Sequence, residues 1–262
     1  MARIDKAREA FLKKDFGSLK KLHKPSEIRK HSSQDELHLV NFKLPEIILG
    51  GQDGLVNVLG IILGVAAATS SVQIVIVAGL AATFAESIAM GAVGYTSKLA
   101  EADYYQSEYE REKWEIENHP EGEIEEIRAI YKQLGFSGEI LDEIVKQITS
   151  SKEIWLKVMM EQELKLQSVD RKDAFPSALT IGLSALIGSF IPLISFFFFS
   201  IKAATVISLI ISAIILFIVG FYKARKTLGR EFIKNGLEMM IIGMVSAFVG
   251  YLVGSILKIR GL

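Results

Sequence analysis

Five long apolar blocks run through the chain, separated by polar stretches: Leu44–Ala68, Val72–Thr96, Phe175–Phe199, Ala203–Phe221 and Phe232–Ile256. As a helix, each can cross about 30 Å of hydrocarbon. Between and around them lie a polar amino-terminal stretch, a long polar insertion after the second block, and short joints. The order predicts an all-α polytopic membrane protein with five transmembrane helices. Residues 1–43 form a basic cytosolic arm and 44–97 the first two spans. Residues 98–173 form a cytosolic helical domain inserted between spans two and three, and 174–262 form spans three to five.

The first block, LPEIILGGQDGLVNVLGIILGVAAA, carries Asp53 well inside it. A carboxylate at the centre of a span costs roughly 2.5 kcal/mol or more, so it is expected to face the protein interior and to have a function. The second block carries Glu86 and, one turn later, Met90. The joint TSSVQ is so short that the two helices must be antiparallel neighbours. Asp53 is nine residues from Leu44, while Glu86 is ten and Met90 six residues from Thr96, at the same side of the membrane. At about 1.5 Å of rise per residue the three side chains share one narrow layer. Asn57, one turn beyond Asp53, is a candidate to add a carbonyl oxygen, with interhelical hydrogen bonding an equally natural role. In the fifth block Glu238, Met239 and Met244 are further candidates, for which interhelical packing is an equally natural role.

The spans are rich in small residues. Gly50 with Gly54, Gly60 with Gly64 and Gly250 with Gly254 make steps that let backbones approach closely, within a chain or between two. Pro192 is expected to kink the third span, and Phe196–Phe199 to cap its end against lipid. Lys and Arg in the flanks set orientation. The arm is basic, TSSVQ is uncharged, SIKA holds only Lys202, and YKARKTLGR holds Lys223, Arg225, Lys226 and Arg230. The amino terminus is therefore expected inside and the carboxyl terminus outside, with Lys258 and Arg260 dissenting.

Charge sharpens the picture. The formal net charge is zero over 262 residues, half of them hydrophobic, but the zero is a sum of unlike parts. Residues 1–43 hold 11 Lys/Arg against 6 Asp/Glu, and residues 98–173 hold 11 against 19. The arm has no apolar core region, so it is not a signal peptide. Phe11, Leu12, Leu19 and Leu22 suggest a short amphipathic helix, either solvated or lying on the membrane. His23, His31 and His38 show no ligand spacing and read as surface residues. The chain has no cysteine, which excludes disulfides and thiolate metal sites.

Residues 98–173 are full of helix formers. One helix is expected to continue from the second span to about Asn118, where NHPEG breaks it. A second is expected from Glu123 to Leu134 with Ile124, Ile127, Tyr131 and Leu134 on one face, a third after Ser137 to Ser150, and a fourth from Lys152 to Asp170. Glu101, Glu108, Glu112 and Glu115 fall within a stripe roughly 60° wide on the first. Stacked like charges repel unless cations sit along them. Glu123 and Glu126 are one turn apart on the next helix, and Met159 and Glu163 on the fourth, with Met160 adjacent. Carboxylates with thioethers suit a borderline transition ion better than calcium or magnesium. A solvated acidic face and core methionines are the plainer alternative, and His119 reads as a loop residue.

At this point the residues resemble a known family. GGQDGLVNVLGIILGVAAA resembles the first span of the vacuolar iron transporter family, ESIAMGAVGYTS its second, and EREKWEIENHPEGEIEEI with VMMEQE its metal-binding domain. The likeness runs from Leu44 to the carboxyl terminus and is specific in the first two spans and the Met-Met-x-x-Glu element. It implies a homodimeric antiporter with five spans per subunit, moving ferrous iron, and also manganese, zinc or cobalt, out of the cytosol in exchange for protons. No separate cofactor and no nucleic-acid partner is implied. Asp53 and Met90 would line the path. Glu112, Glu115, Glu123, Glu126, Met159, Met160 and Glu163, with Glu108 beside them, would bind metal in the cytosol. Many members have Gly-Glu where this chain has Gly91-Ala92, and Glu86 would replace that acid from the turn before. The membrane would be the plasma membrane in a prokaryote and a vacuole or other endomembrane in a eukaryote. A membrane di-iron oxidase is a rival, but it needs Glu-x-x-His steps, which the chain lacks. A non-transporting scaffold is another, and it leaves the intramembrane acids unexplained.

Overall fold

The structure, a computed structural model, describes residues 3–31, 43–227 and 230–257. Among these residues every regular element is helical: α1 Arg3–Leu12, α2 Phe16–Leu22, α3 Pro25–His31, α4 Lys43–Ala68, α5 Val72–Asn118, α6 Pro120–Gln133, α7 Gly138–Thr149, α8 Lys152–Val158, α9 Ala174–Leu193, α10 Ile201–Thr227 and α11 Phe232–Ile256. The helices α4, α5, α9, α10 and α11 supply five segments long and apolar enough to cross a membrane. The chain divides into two compact units, one of residues 1–92 with 178–262 and one of residues 93–177.

In the first unit α4 is the central helix. Its Pro45 sits in the first turn, where a missing N–H costs nothing. Leu55, Val58, Leu59, Ile62, Leu63 and Ala66 are all buried on it. Val58, Ile62 and Ala66 pack with Val75 of α5, Leu193 at the end of α9, Phe196 in the turn that follows it, and Ala204 of α10. Leu55 meets Leu216 of α10 and Met239 of α11, and Leu59 and Leu63 meet Ala247 of α11. The glycine steps all find partners within the chain. Gly50 and Gly54 lie against the Ile181 and Ala185 backbone of α9, and Gly64 against the Gly250 carbonyl of α11. A Cβ on Gly64 would stand 2.8 Å from that carbonyl oxygen, too close for either backbone to stay in place.

The helix α9 runs through Pro192 to Leu193 and continues as a 3-10 turn over Ile194–Phe197. The Pro192 carbonyl accepts from Ser208 Oγ at 2.8 Å and Ser195 Oγ at 3.3 Å. The lipid-facing reading of Phe196–Phe199 needs correcting at its first member. Phe196 is buried in the core with Val58 and Ile62, while Phe197, Phe198 and Phe199 are exposed. The tighter 3-10 turn rotates it inward.

In the amino-terminal stretch Asp15 caps α2 by accepting from the Ser18 N–H at 3.0 Å, and Phe11 and Phe16 are exposed. The His23 ring is bonded to the Leu19 carbonyl at 2.9 Å. His38, Lys258 and Arg260 lie outside the described residues.

In the second unit the last part of α5 packs with α6, α7 and α8 around Ile116, Ile127, Leu141, Val145, Ile148, Trp155, Leu156, Met159 and Met160. The helix α6 begins at Pro120, three residues ahead of expectation, because proline at the first helical position is preorganised for it. Leu134 is its C-cap and exposed, so the apolar face ends at Tyr131. The expected helix to Asp170 is not formed. After α8 the chain takes a π-helical turn over Met159–Glu163, closed by the Leu164 N–H on the Met159 carbonyl at 3.1 Å. Lys165 then adopts a φ of 55° and breaks the helix. Leu164 and Leu166 both pack on the core. A helix would turn them about 200° apart, so both reach it only if the helix stops.

The glycine contacts yield a paired prediction. Gly64→Ala should destabilise the detergent-solubilised protein by about 1–3 kcal/mol through overpacking. A Cβ on Gly60 has its nearest neighbour at 3.7 Å, so Gly60→Ala should melt like wild type in the same thermal unfolding assay.

Candidate metal-binding sites

Asp53 and Asn57 stand one turn apart on α4, and Glu86 and Met90 one turn apart on α5. All four are half-buried. The Asn57 Nδ2 donates to Glu86 Oε1 at 2.8 Å, and the Asp53 and Glu86 carboxyls also interact directly. The two acids, 33 positions apart in sequence, therefore meet. Two carboxyls in contact need a proton or a cation between them. The structure thus brings Asp53, Asn57 and Glu86 together and puts Met90 a turn further along the same helix. Among the other candidates, Met239 and Met244 pack into apolar clusters around Leu55 and Leu59, and Glu238 is exposed.

The second site lies wholly in residues 93–177. Glu112 and Glu115 come from α5 and Glu123 from α6, and their carboxylate oxygens all lie within 4.8 Å of one another. Glu163, on the π-helical turn, hydrogen-bonds Glu126 of α6. The break at Asn118 and His119 makes this possible, because it folds α6 back along α5. Glu112 is 1% and Glu123 6% exposed. Glu112 Oε2, Glu123 Oε2 and Glu163 Oε2 are buried with no hydrogen-bond partner. Orphaned carboxylate oxygens are expensive in a protein interior, and three in one cluster fit a site for a cation. Burial and the neighbouring carboxylates push Glu123 and Glu163 up to about 7. Glu112 is also raised, mainly by burial, against the pull of Arg111. Met159 and Met160 are buried in the adjoining core. His119 stays outside as the exposed N-cap of α6, its ring 5.3 Å from Trp114.

The acidic stripe holds a cation that the reading of its glutamates left out. Arg111 bonds Glu108 at 3.0 Å, Glu112 at 2.5 Å and Glu115. Its spacing of three from Glu108 and four from Glu115 is the signal that could have found it. Glu101 stands apart, exposed and paired with Lys98 at 2.7 Å.

These residues can be set beside known proteins. The model of the VIT family matches residues 44–255. The chain belongs to the VIT family. It is 33% identical over 239 residues to "Vacuolar iron transporter 1" of Oryza sativa subsp. japonica, covering 90% of this chain and 94% of that one. The protein of the same name from Arabidopsis thaliana is 32% identical over 214 residues, 81% and 85% of the two chains. "Vacuolar iron transporter" of Plasmodium berghei (strain Anka) is 31% identical over 267 residues, 98% and 97% of the two. The family match takes in both groups of acids in this VIT-family chain, from Asp53 to Glu163.

The raised acids fix a pH dependence. Glu123 and Glu163 hold protons up to about pH 7 when folded, against an ordinary value of 4.5. The folded state therefore binds more protons than the unfolded one between those limits. Without metal, this contribution to stability is full below about pH 4.5 and is lost as pH rises through about 7. A divalent ion must displace those protons, so Mn2+ affinity should rise roughly tenfold or more from pH 6 to pH 8. Thermal unfolding of the full chain across pH, with and without Mn2+, checks both signs.

Proposed function

We propose that this VIT-family chain is a divalent-metal transporter that moves ferrous iron, and manganese with it, out of the cytosol in exchange for protons. The observation that carries the reading is the meeting of Asp53, Asn57 and Glu86 on two helices apolar enough to cross a membrane. Intramembrane acids that face one another mark ion paths and proton relays. The acidic unit collects the ion from water: its orphaned oxygens supply hard ligands, and the buried thioethers of Met159 and Met160 favour a transition ion. The family match and the names of the relatives support iron as cargo. Their vacuolar names support an endomembrane such as the vacuole.

The exchange follows from competition. A metal ion and protons contend for the same oxygens of Asp53 and Glu86, so loading by one expels the other. The amino terminus and the acidic unit then lie in the cytosol and the carboxyl terminus on the far side, as the charges of the joints favour. The same ligand chemistry admits zinc and cobalt as minor cargoes. The working assembly is read as a homodimer.

Proteoliposomes with a pH dye inside test this. Asp53→Ala should cut Fe2+ uptake at least tenfold and abolish the metal-driven pH change. Glu86→Gln, which keeps a partner for Asn57, should bind metal yet lose most of the pH signal. Normal uptake and proton movement in Asp53→Ala would rule out the assigned path.

A further inference from the structure

Arg111 has an odd place in the acidic cluster. Its guanidinium donates from Nε to Glu108 Oε2 at 3.0 Å, from Nη2 to Glu112 Oε1 at 2.5 Å, and from Nη1 to Glu115 Oε2. Glu112 and Glu115 are two of the three acids whose oxygens converge within 4.8 Å. The other Glu112 oxygen, with one each of Glu123 and Glu163, is buried and has no donor at all. One tethered cation thus takes part of a ligand set whose remaining oxygens go unserved.

We infer that Arg111 is a built-in stand-in for the divalent ion, and that ion binding makes it let go. The inference rests on the reading of this cluster as a divalent-ion site. A carboxylate oxygen already bonded to a guanidinium has spent a lone pair that a metal would use, and a divalent charge beside a fixed positive one is repelled. Arg111 can leave cheaply. Its side chain is 42% exposed, so water is at hand to take over its donors. Holding it in the meantime relieves the repulsion among Glu108, Glu112 and Glu115. The guanidinium therefore keeps the metal-free helix face intact and holds metal affinity down, so that a captured ion is released again. A carrier needs both properties, whereas a storage site would do better without the arginine.

Both tryptophans, Trp114 and Trp155, lie in this unit, so tryptophan emission of the full-length protein in detergent reports on it. Mn2+ titrated at fixed pH should bind Arg111→Gln about tenfold more tightly than wild type, the worth of roughly one charge-assisted hydrogen bond. Arg111→Lys should fall between, since an ammonium cannot fork across three acids. A purely structural arginine predicts the opposite sign. Equal or weaker Mn2+ binding by Arg111→Gln, with wild type binding normally, overturns this inference alone. Wild type that binds no Mn2+ overturns the metal site itself. If Arg111→Gln does not fold without metal, recovery on purification with Mn2+ supports the stand-in. Without recovery, Arg111→Lys decides: tighter binding than wild type supports it, and unchanged or weaker binding overturns it.

Discussion

A carboxylate cannot be left in hydrocarbon, and the first unit is arranged around that constraint. Asp53 is held on α4, whose side chains enter three apolar clusters of the first unit. Gly50, Gly51 and Gly54 flank it and let α9 come within backbone contact, with Gly51 meeting Gly188. Larger side chains there would hold α9 away from α4. Further along α4, Leu55, Val58, Leu59, Ile62 and Leu63 fill the surround by packing, while Gly60 and Gly64 keep α11 in backbone contact.

Both groups of acids follow one electrostatic logic at different depths of solvation. In each, negative groups are brought closer than Coulomb repulsion allows unless something positive joins them. On α4 and α5 the relief comes from the Asn57 amide and from whatever stands between the two carboxyls. In the helical insertion it comes from Arg111 and from protons on Glu123 and Glu163. Neither group balances its own charge without a proton or a cation.

Much of this was legible in the sequence. Five apolar blocks announced five helices, and the shared depth of Asp53 and Glu86 followed from counting residues on two antiparallel neighbours. The glycine steps were visible, but not their partners, because a small residue says only that something comes close. Helix ends were misread where local signals gave way to tertiary packing. Leu166 needed the core more than α8 needed another turn, and Phe196 turned inward behind Pro192. Arg111 is legible in its spacing of three from Glu108 and four from Glu115, but its bond to the buried Glu112 is not, since adjacent residues do not face each other on a helix. The burial of Glu112 and Glu123 was not readable at all, since it depends on α6 folding back along α5.

The π-helical turn at Met159–Glu163 makes chain length itself part of the site. With one residue fewer, the turn would close as an ordinary α-helix and swing Glu163 by about 100°, away from Glu126. The side chain of the exposed Gln162 is free to vary, but its backbone is a spacer. Among kindred sequences, substitution here should be common and deletion absent, so that a gap in an alignment at this point would mark a protein that has given up this acid.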